Sequence, residues 1–111
     1  MAGAAYLGEF EQIVLLAILR LGDGAYGVTI GAEIQKQTGR VPVSGALYTT
    51  LDRLEEKGLL SSAMGDPTSQ RGGRAKRFFT VTGTGLAAIT QAQRSYQNLM
   101  KGLRLPGLEH A

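Results

Sequence analysis

Ser44-Gly45-Ala46-Leu47-Tyr48-Thr49-Thr50-Leu51-Asp52-Arg53-Leu54-Glu55-Glu56-Lys57-Gly58 reads as one amphipathic helix with both ends marked. Ser44 is a residue type suited to an N-cap, and Lys57-Gly58 is a stop signal. Leu47, Leu51 and Leu54 recur at helical spacing, followed by Gly58. At about 100° per residue these four gather on one side of the wheel. Gly45, Thr49, Asp52, Arg53 and Glu56 lie opposite, with Tyr48 on the flank. One side belongs in a core and the other is left for water or a partner.

Working back from this helix, Val41-Pro42-Val43 is extended, because Pro42 disfavours the helical region for Val41. Val28 to Thr38 predicts a helix, with Ile30, Ile34 and Val28 inward and Gly39 closing it. Gly22-Asp23-Gly24-Ala25-Tyr26-Gly27 is a turn. Glu9 to Leu21 is apolar on every side between Glu9 and Glu11 at its front and Arg20 at its back. Thirteen residues exceed an ordinary strand, so length favours a helix that needs cover on more than one side.

Working forward, Leu59 to Met64 reads as a short strand. Gly65 to Lys76 is a polar loop, and Arg77 to Thr82 is a β-rich run, together a hairpin with a long tip. From Thr82 or Thr84 the helical period returns at Leu86, Ile89, Gln93, Tyr96, Met100 and Leu103. Ala92 and Leu99 widen the stripe, and Pro106-Gly107 stops it. The fold class is mainly α with a small β-hairpin: a winged helix-turn-helix over residues 7–82 plus a long C-terminal helix over 83–105.

That order has a physical logic for DNA. The outward side of the third helix can enter a major groove, and the hairpin tip can reach the neighbouring backbone. Gly45, Thr49 and Arg53 are the expected groove-facing residues, with Ser44 and Tyr48 near phosphates. Asp52, Glu55 and Glu56 make the far end acidic, so only the first two turns are expected to approach the duplex. Between Gly65 and Arg77 the charges are Arg71, Arg74, Lys76 and Arg77 against Asp66. This local +3 equals the net charge of the whole 111-residue chain. Cations concentrated on a hairpin tip suit phosphate contact.

Composition removes other classes. The chain is 43% apolar and 19% charged, as a globular domain is. With no cysteine it offers no thiolate metal site, disulfide or Cys nucleophile, which fits a reducing compartment. The single histidine, His110, excludes a His-based triad or a multi-His metal site. Glu9, Glu11, Glu55 and Glu56 are the close carboxylates, and they lack a nucleophile or metal partner. No enzyme activity, cofactor or metal is expected. The longest apolar run, Ile13 to Leu19, is too short to span a bilayer. Met1 to Ala5 has no basic region, so no secretory signal is expected. Gly22 to Gly27 does match G-x-G-x-x-G. A dinucleotide site would also need a βαβ unit with an acidic ribose ligand about twenty residues on, and the chain offers only Val41-Pro42-Val43 before the next helix.

Leu47-Tyr48, Leu51, Arg53-Leu54-Glu55 and Gly58-Leu59-Leu60, with Gly73-Arg74-Ala75-Lys76-Arg77-Phe78-Phe79 and Thr80-Val81-Thr82, resemble the PadR family of bacterial transcriptional regulators. Leu15 to Leu19 and Tyr26-Gly27 are similar to that family's first helix and following turn. The resemblance covers about residues 7–103. It implies a homodimeric, cytoplasmic, ligand-responsive regulator, usually a repressor, whose short members end in one dimer-building helix. Gly45-Ala46 and Thr49-Thr50 depart from the family's usual residues, which bears on the DNA sequence read and leaves the docking mode intact.

Burial leads to the dimer independently. The last helix would be roughly 30 Å long at about 1.5 Å per residue, too long for a core of this size to cover. Phe10, Leu86, Ile89, Gln93, Tyr96, Leu99, Met100 and Leu103 are the expected interface. A two-fold dimer sets its paired helices about 34 Å apart on double-stranded DNA with a near-palindromic operator. Tyr6, Phe10, Tyr96 and Met100 fit either a small-molecule effector pocket between the first and last helices or plain core packing. The sequence names no effector. The alternative function is a winged helix used for protein–protein assembly, its basic loop gripping an acidic partner.

Overall fold

The computed structural model describes residues 6–65 and 75–107. Helix α1 spans Glu9–Leu21, a 3₁₀ turn Gly22–Gly24, α2 Gly27–Thr38 and α3 Ser44–Glu56. Strands β1, Leu60–Met64, and β2, Arg77–Val81, are followed by α4, Gly83–Met100. The hairpin is antiparallel, running from the pair Leu60 and Val81 to the pair Met64 and Arg77. The segment after the 3₁₀ turn adds a short third edge. Tyr26 bridges Phe78, and the Phe79 N–H donates to Ala25 O at 2.8 Å. The turn between the first two helices is thereby tied to the base of the wing.

Each helix buries the stripe its sequence carries. Val14, Leu15 and Ile18 of α1, Ile30 and Ile34 of α2, and Leu47, Leu51 and Leu54 of α3 meet Leu59, Leu60 and Phe79 in one core. Ile89 of α4 completes it. Glu11 holds the front of α1. Its Oε1 accepts from the Gly8 N–H at 2.8 Å, and its Oε2 accepts from Lys57 Nζ at 2.9 Å, joining α1 to the end of α3. Burial works against its charge, but Lys57 and the Gly8 N–H together hold the carboxyl below its ordinary value.

Four expectations are corrected. Val28 points outward, because it sits about 200° round the helix from Ile30. Ser44 is the first helical residue rather than the cap. Val43 takes the cap position without a side-chain bond, and its carbonyl accepts from the Leu47 N–H at 2.9 Å. Starting there carries Leu47 under α2, where it packs against Gly31 beside Pro42. The last helix ends at Met100, not near 105. The backbone turns at Lys101 and Gly102, whose φ is +84°, before Pro106 is reached, so Leu103 lies beyond the helix. Tyr6, expected in a shared lining with Phe10, Tyr96 and Met100, stands in solvent.

The cover over α1 is also incomplete. Leu16 and Leu19 remain exposed and border a groove shared with Leu86 and Ile89 of α4. Thr82 caps α4, its hydroxyl accepting from the Gly85 N–H at 3.0 Å. Gly85 lies so close to the carbonyl of Leu59 that a Cβ there would collide with it.

Candidate nucleic-acid interface

The two sides of α3 separate as its period requires. Leu47, Thr50, Leu51 and Leu54 are buried, while Ser44, Gly45, Tyr48, Thr49 and Arg53 are exposed. The expected groove-facing residues therefore share one accessible face, and among the described residues no carboxylate pairs with Arg53 within salt-bridge distance. Thr50, which the period alone did not single out, is turned inward beside Leu51 and Leu54.

Tyr48 is positioned by α2. Its ring and hydroxyl lie over Gly27 so closely that any side chain at residue 27 would overlap them. A glycine there lets the phenol settle against the first turn of α2. The hydroxyl is thus held between the starts of two helices, on the same side as Ser44 and Thr49.

The wing is joined to the far end of α3 by Arg77. Its Nη1 donates to Asp52 Oδ1 at 3.0 Å, its Nη2 donates to Glu55 Oε1, and its Nε donates to Ser62 Oγ at 3.2 Å. Ser62 in turn donates to Glu55 Oε2 at 2.9 Å. The guanidinium also lies over the Phe79 ring, 4.8 Å from its centroid. Desolvation opposes the charge on Arg77, but the two carboxylates outweigh it and raise its pKa. The expectation for Arg77 is revised accordingly: its donors are committed to α3 and β1. Sequence reasoning missed this network. The available signal was three carboxylates at the end of α3 followed by a hairpin rich in arginine.

Lys76 sits at the base of the wing with Nζ 5.3 Å from the Tyr26 ring centroid. Tyr26 meets Phe78 edge-on at 5.3 Å between centroids. Arg71 and Arg74 lie outside the described residues. The glycine-rich turn separates two helices, and the segment before it is α1 rather than a strand, so the βαβ context of a dinucleotide site is absent there.

The expected dimer residues divide into two groups. Ile89 is 2% exposed and belongs to the core of its own chain, which corrects its assignment to an interface. Phe10 is half-buried, with the Arg40 guanidinium 5.8 Å from its ring centroid. Gln93 is half-buried beside the α1–α4 groove. Leu86, Tyr96, Leu99, Met100 and Leu103 are exposed, Leu99 most of all at 77%. Tyr96 is anchored at one edge, its hydroxyl 3.5 Å from the donating Gln12 Nε2.

Comparison with known proteins settles the family. The family model described as "Transcriptional regulator PadR-like family" matches residues 15–91. The chain belongs to that family. It is 37% identical over 107 residues to Transcriptional regulator Rv3488 of Mycobacterium tuberculosis, covering 92% of each chain. A PadR family transcription regulator from Clostridium difficile R20291 superposes with a TM-score of 0.70 at 22% identity, over 83% of this chain and 92% of that one. F93 from STIV, a winged-helix DNA-binding protein, superposes with a TM-score of 0.71 at 16% identity, over 90% of this chain and all of that one. This PadR-like chain is therefore a winged-helix transcriptional regulator. No helix among its described residues is long and apolar enough to cross a membrane.

Proposed function

We propose that this chain is a homodimeric, sequence-specific DNA-binding repressor that acts on a near-palindromic operator in the cytoplasm and answers to a small-molecule effector. The observation that carries the reading is the exposed, uncharged start of α3, held on a buried leucine stripe; the sequence from Gly65 to Arg77 adds a local +3. Gly45, Thr49 and Arg53 face base edges, and Ser44, Tyr48 and Lys76, with Arg71 and Arg74, meet phosphates. Arg77 orients the wing by gripping α3. Residues 7–82 form the DNA-binding unit and residues 83–105 the dimerisation segment. Leu86, Tyr96, Leu99, Met100 and Leu103 supply the apolar contact, supported by their exposure in the single chain.

The test is a gel shift of the full chain against fragments of its own genome at low and moderate salt. Two chains per duplex, a few fragments retained as salt rises, and a target beside the regulated gene are the expected results. Equal affinity for every fragment, or none for any, would overturn the reading in favour of a protein–protein module.

A further inference from the structure

Beside the exposed face of α3 lies a set of apolar side chains that the core does not use. Val28 of α2 is 69% exposed, Val41 70% and Val43 72%. Val28 and Val41 border a cleft between α2 and α3 that Ser44 and Tyr48 also line, and Val43 is the residue from which α3 starts. No residue lining that cleft is charged. Single exposed valines are ordinary, but Val28 and Val41 border one cleft and Val43 begins the helix beside it, so the three form an apolar rim around the start of α3.

The first two turns of α3 share this character. From Ser44 to Thr50 there is no Arg, Lys, Asn or Gln. Those are the side chains that make paired hydrogen bonds to guanine or adenine, so this end of the helix offers neither bond. Arg53 is the first long donor on the exposed face. A second copy of the chain is not the natural cover for the rim, because the exposed stripe of α4 lies with α1 and not with α2 or α3. The rim instead adjoins Ser44 and Tyr48 of the proposed DNA face, which line the same cleft, and the major groove presents a single apolar group, the C5-methyl of thymine. A β-branched side chain, stiff at χ1, loses little freedom on packing against it.

We infer that the chain reads its operator chiefly through thymine methyl groups, contacted by Val41, Val43 and the Thr49 methyl, with Val28 closing the outer edge. The inference rests on the reading of α3 as the helix in the groove, and names the base that this helix selects. Arg53 adds a hydrogen-bonded position further along the half-site.

The experiment begins with selection of tight-binding duplexes from a random-sequence pool by the full chain. The selected duplex is then remade with deoxyuridine in place of thymidine, one position at a time, which removes a methyl and leaves every hydrogen bond. Each contacted methyl is expected to be worth about fourfold in Kd, or roughly fifteenfold when both half-sites are changed. The salt slope should not change, since the phosphate contacts are the same. In V41A and V43A, whose altered side chains are exposed and leave the core intact, the thymine-to-uracil ratio should fall toward one.

Equal affinity for thymine and uracil duplexes overturns the inference while leaving sequence-specific regulation standing. A ratio that persists in both variants also overturns it, because the methyl is then sensed through DNA shape and the rim serves another macromolecule. Failure of the pool to enrich any sequence overturns both the inference and the reading beneath it.

Discussion

Gly85 shows how one missing side chain places a helix. Its backbone rests on the Leu59 carbonyl, and a Cβ there would also come within 2.9 Å of Val81 Cγ1. Gly85→Ala should destabilise the chain by about 2 kcal/mol, because a rigid carbonyl and a half-buried strand residue must give way. Gly45→Ala, where a Cβ meets open space, should instead gain a few tenths to about 1 kcal/mol from helix propensity. Urea unfolding of the two variants side by side measures the contrast. Glu11 sets a pH dependence at the same scale. Its folded pKa lies below the ordinary 4.5, so its contribution is complete above that value and is lost as pH falls through the folded pKa. Glu11→Gln should cost on the order of 1 kcal/mol at pH 7 and progressively less as pH falls below 4.5 toward and through the folded pKa, read by the same unfolding experiment over a pH series.

At the scale of elements, the wing is aimed by its root. Arg77 draws β2 and β1 toward the acidic end of α3 and masks Asp52 and Glu55. Arg77→Ala should lower stability by about 1 kcal/mol and weaken DNA binding together, since it loosens the hairpin and leaves two carboxylates near phosphate. Arg74→Ala, in the basic stretch of sequence between the two strands, should weaken binding to every sequence and flatten the salt slope by about one unit. Thermal unfolding and fluorescence anisotropy at several salt concentrations separate the two roles. The existence of both arginines was plain in the sequence. Their different work was not, because a carboxylate 22 or 25 residues away in sequence becomes a neighbour only when the hairpin folds back on α3.

At the scale of the molecule, α4 has two jobs divided along its length. Its first turns place Gly85 and Ile89 in the core, while its later turns expose Tyr96, Leu99 and Met100. Truncating the chain after Thr84 would therefore remove a core residue as well as the dimer stripe. Leu99→Glu is the cleaner change. Sedimentation should show a shift from dimer to monomer, circular dichroism an unchanged fold, and anisotropy a loss of specific operator affinity of at least tenfold. A folded monomer that kept its full affinity would overturn the dimer.

The sequence alone determined the order of elements, because hydrophobic period, glycine and proline placement and charge at helix ends are local properties written every few residues. It also determined which side of α3 is outward, since Leu47, Leu51 and Leu54 admit one burial. Tertiary structure decided the rest: that Ile89 is core and that Arg77 faces carboxylates. Each of these depends on which surface comes to lie against which, and period along the chain carries no record of contacts between segments distant in sequence.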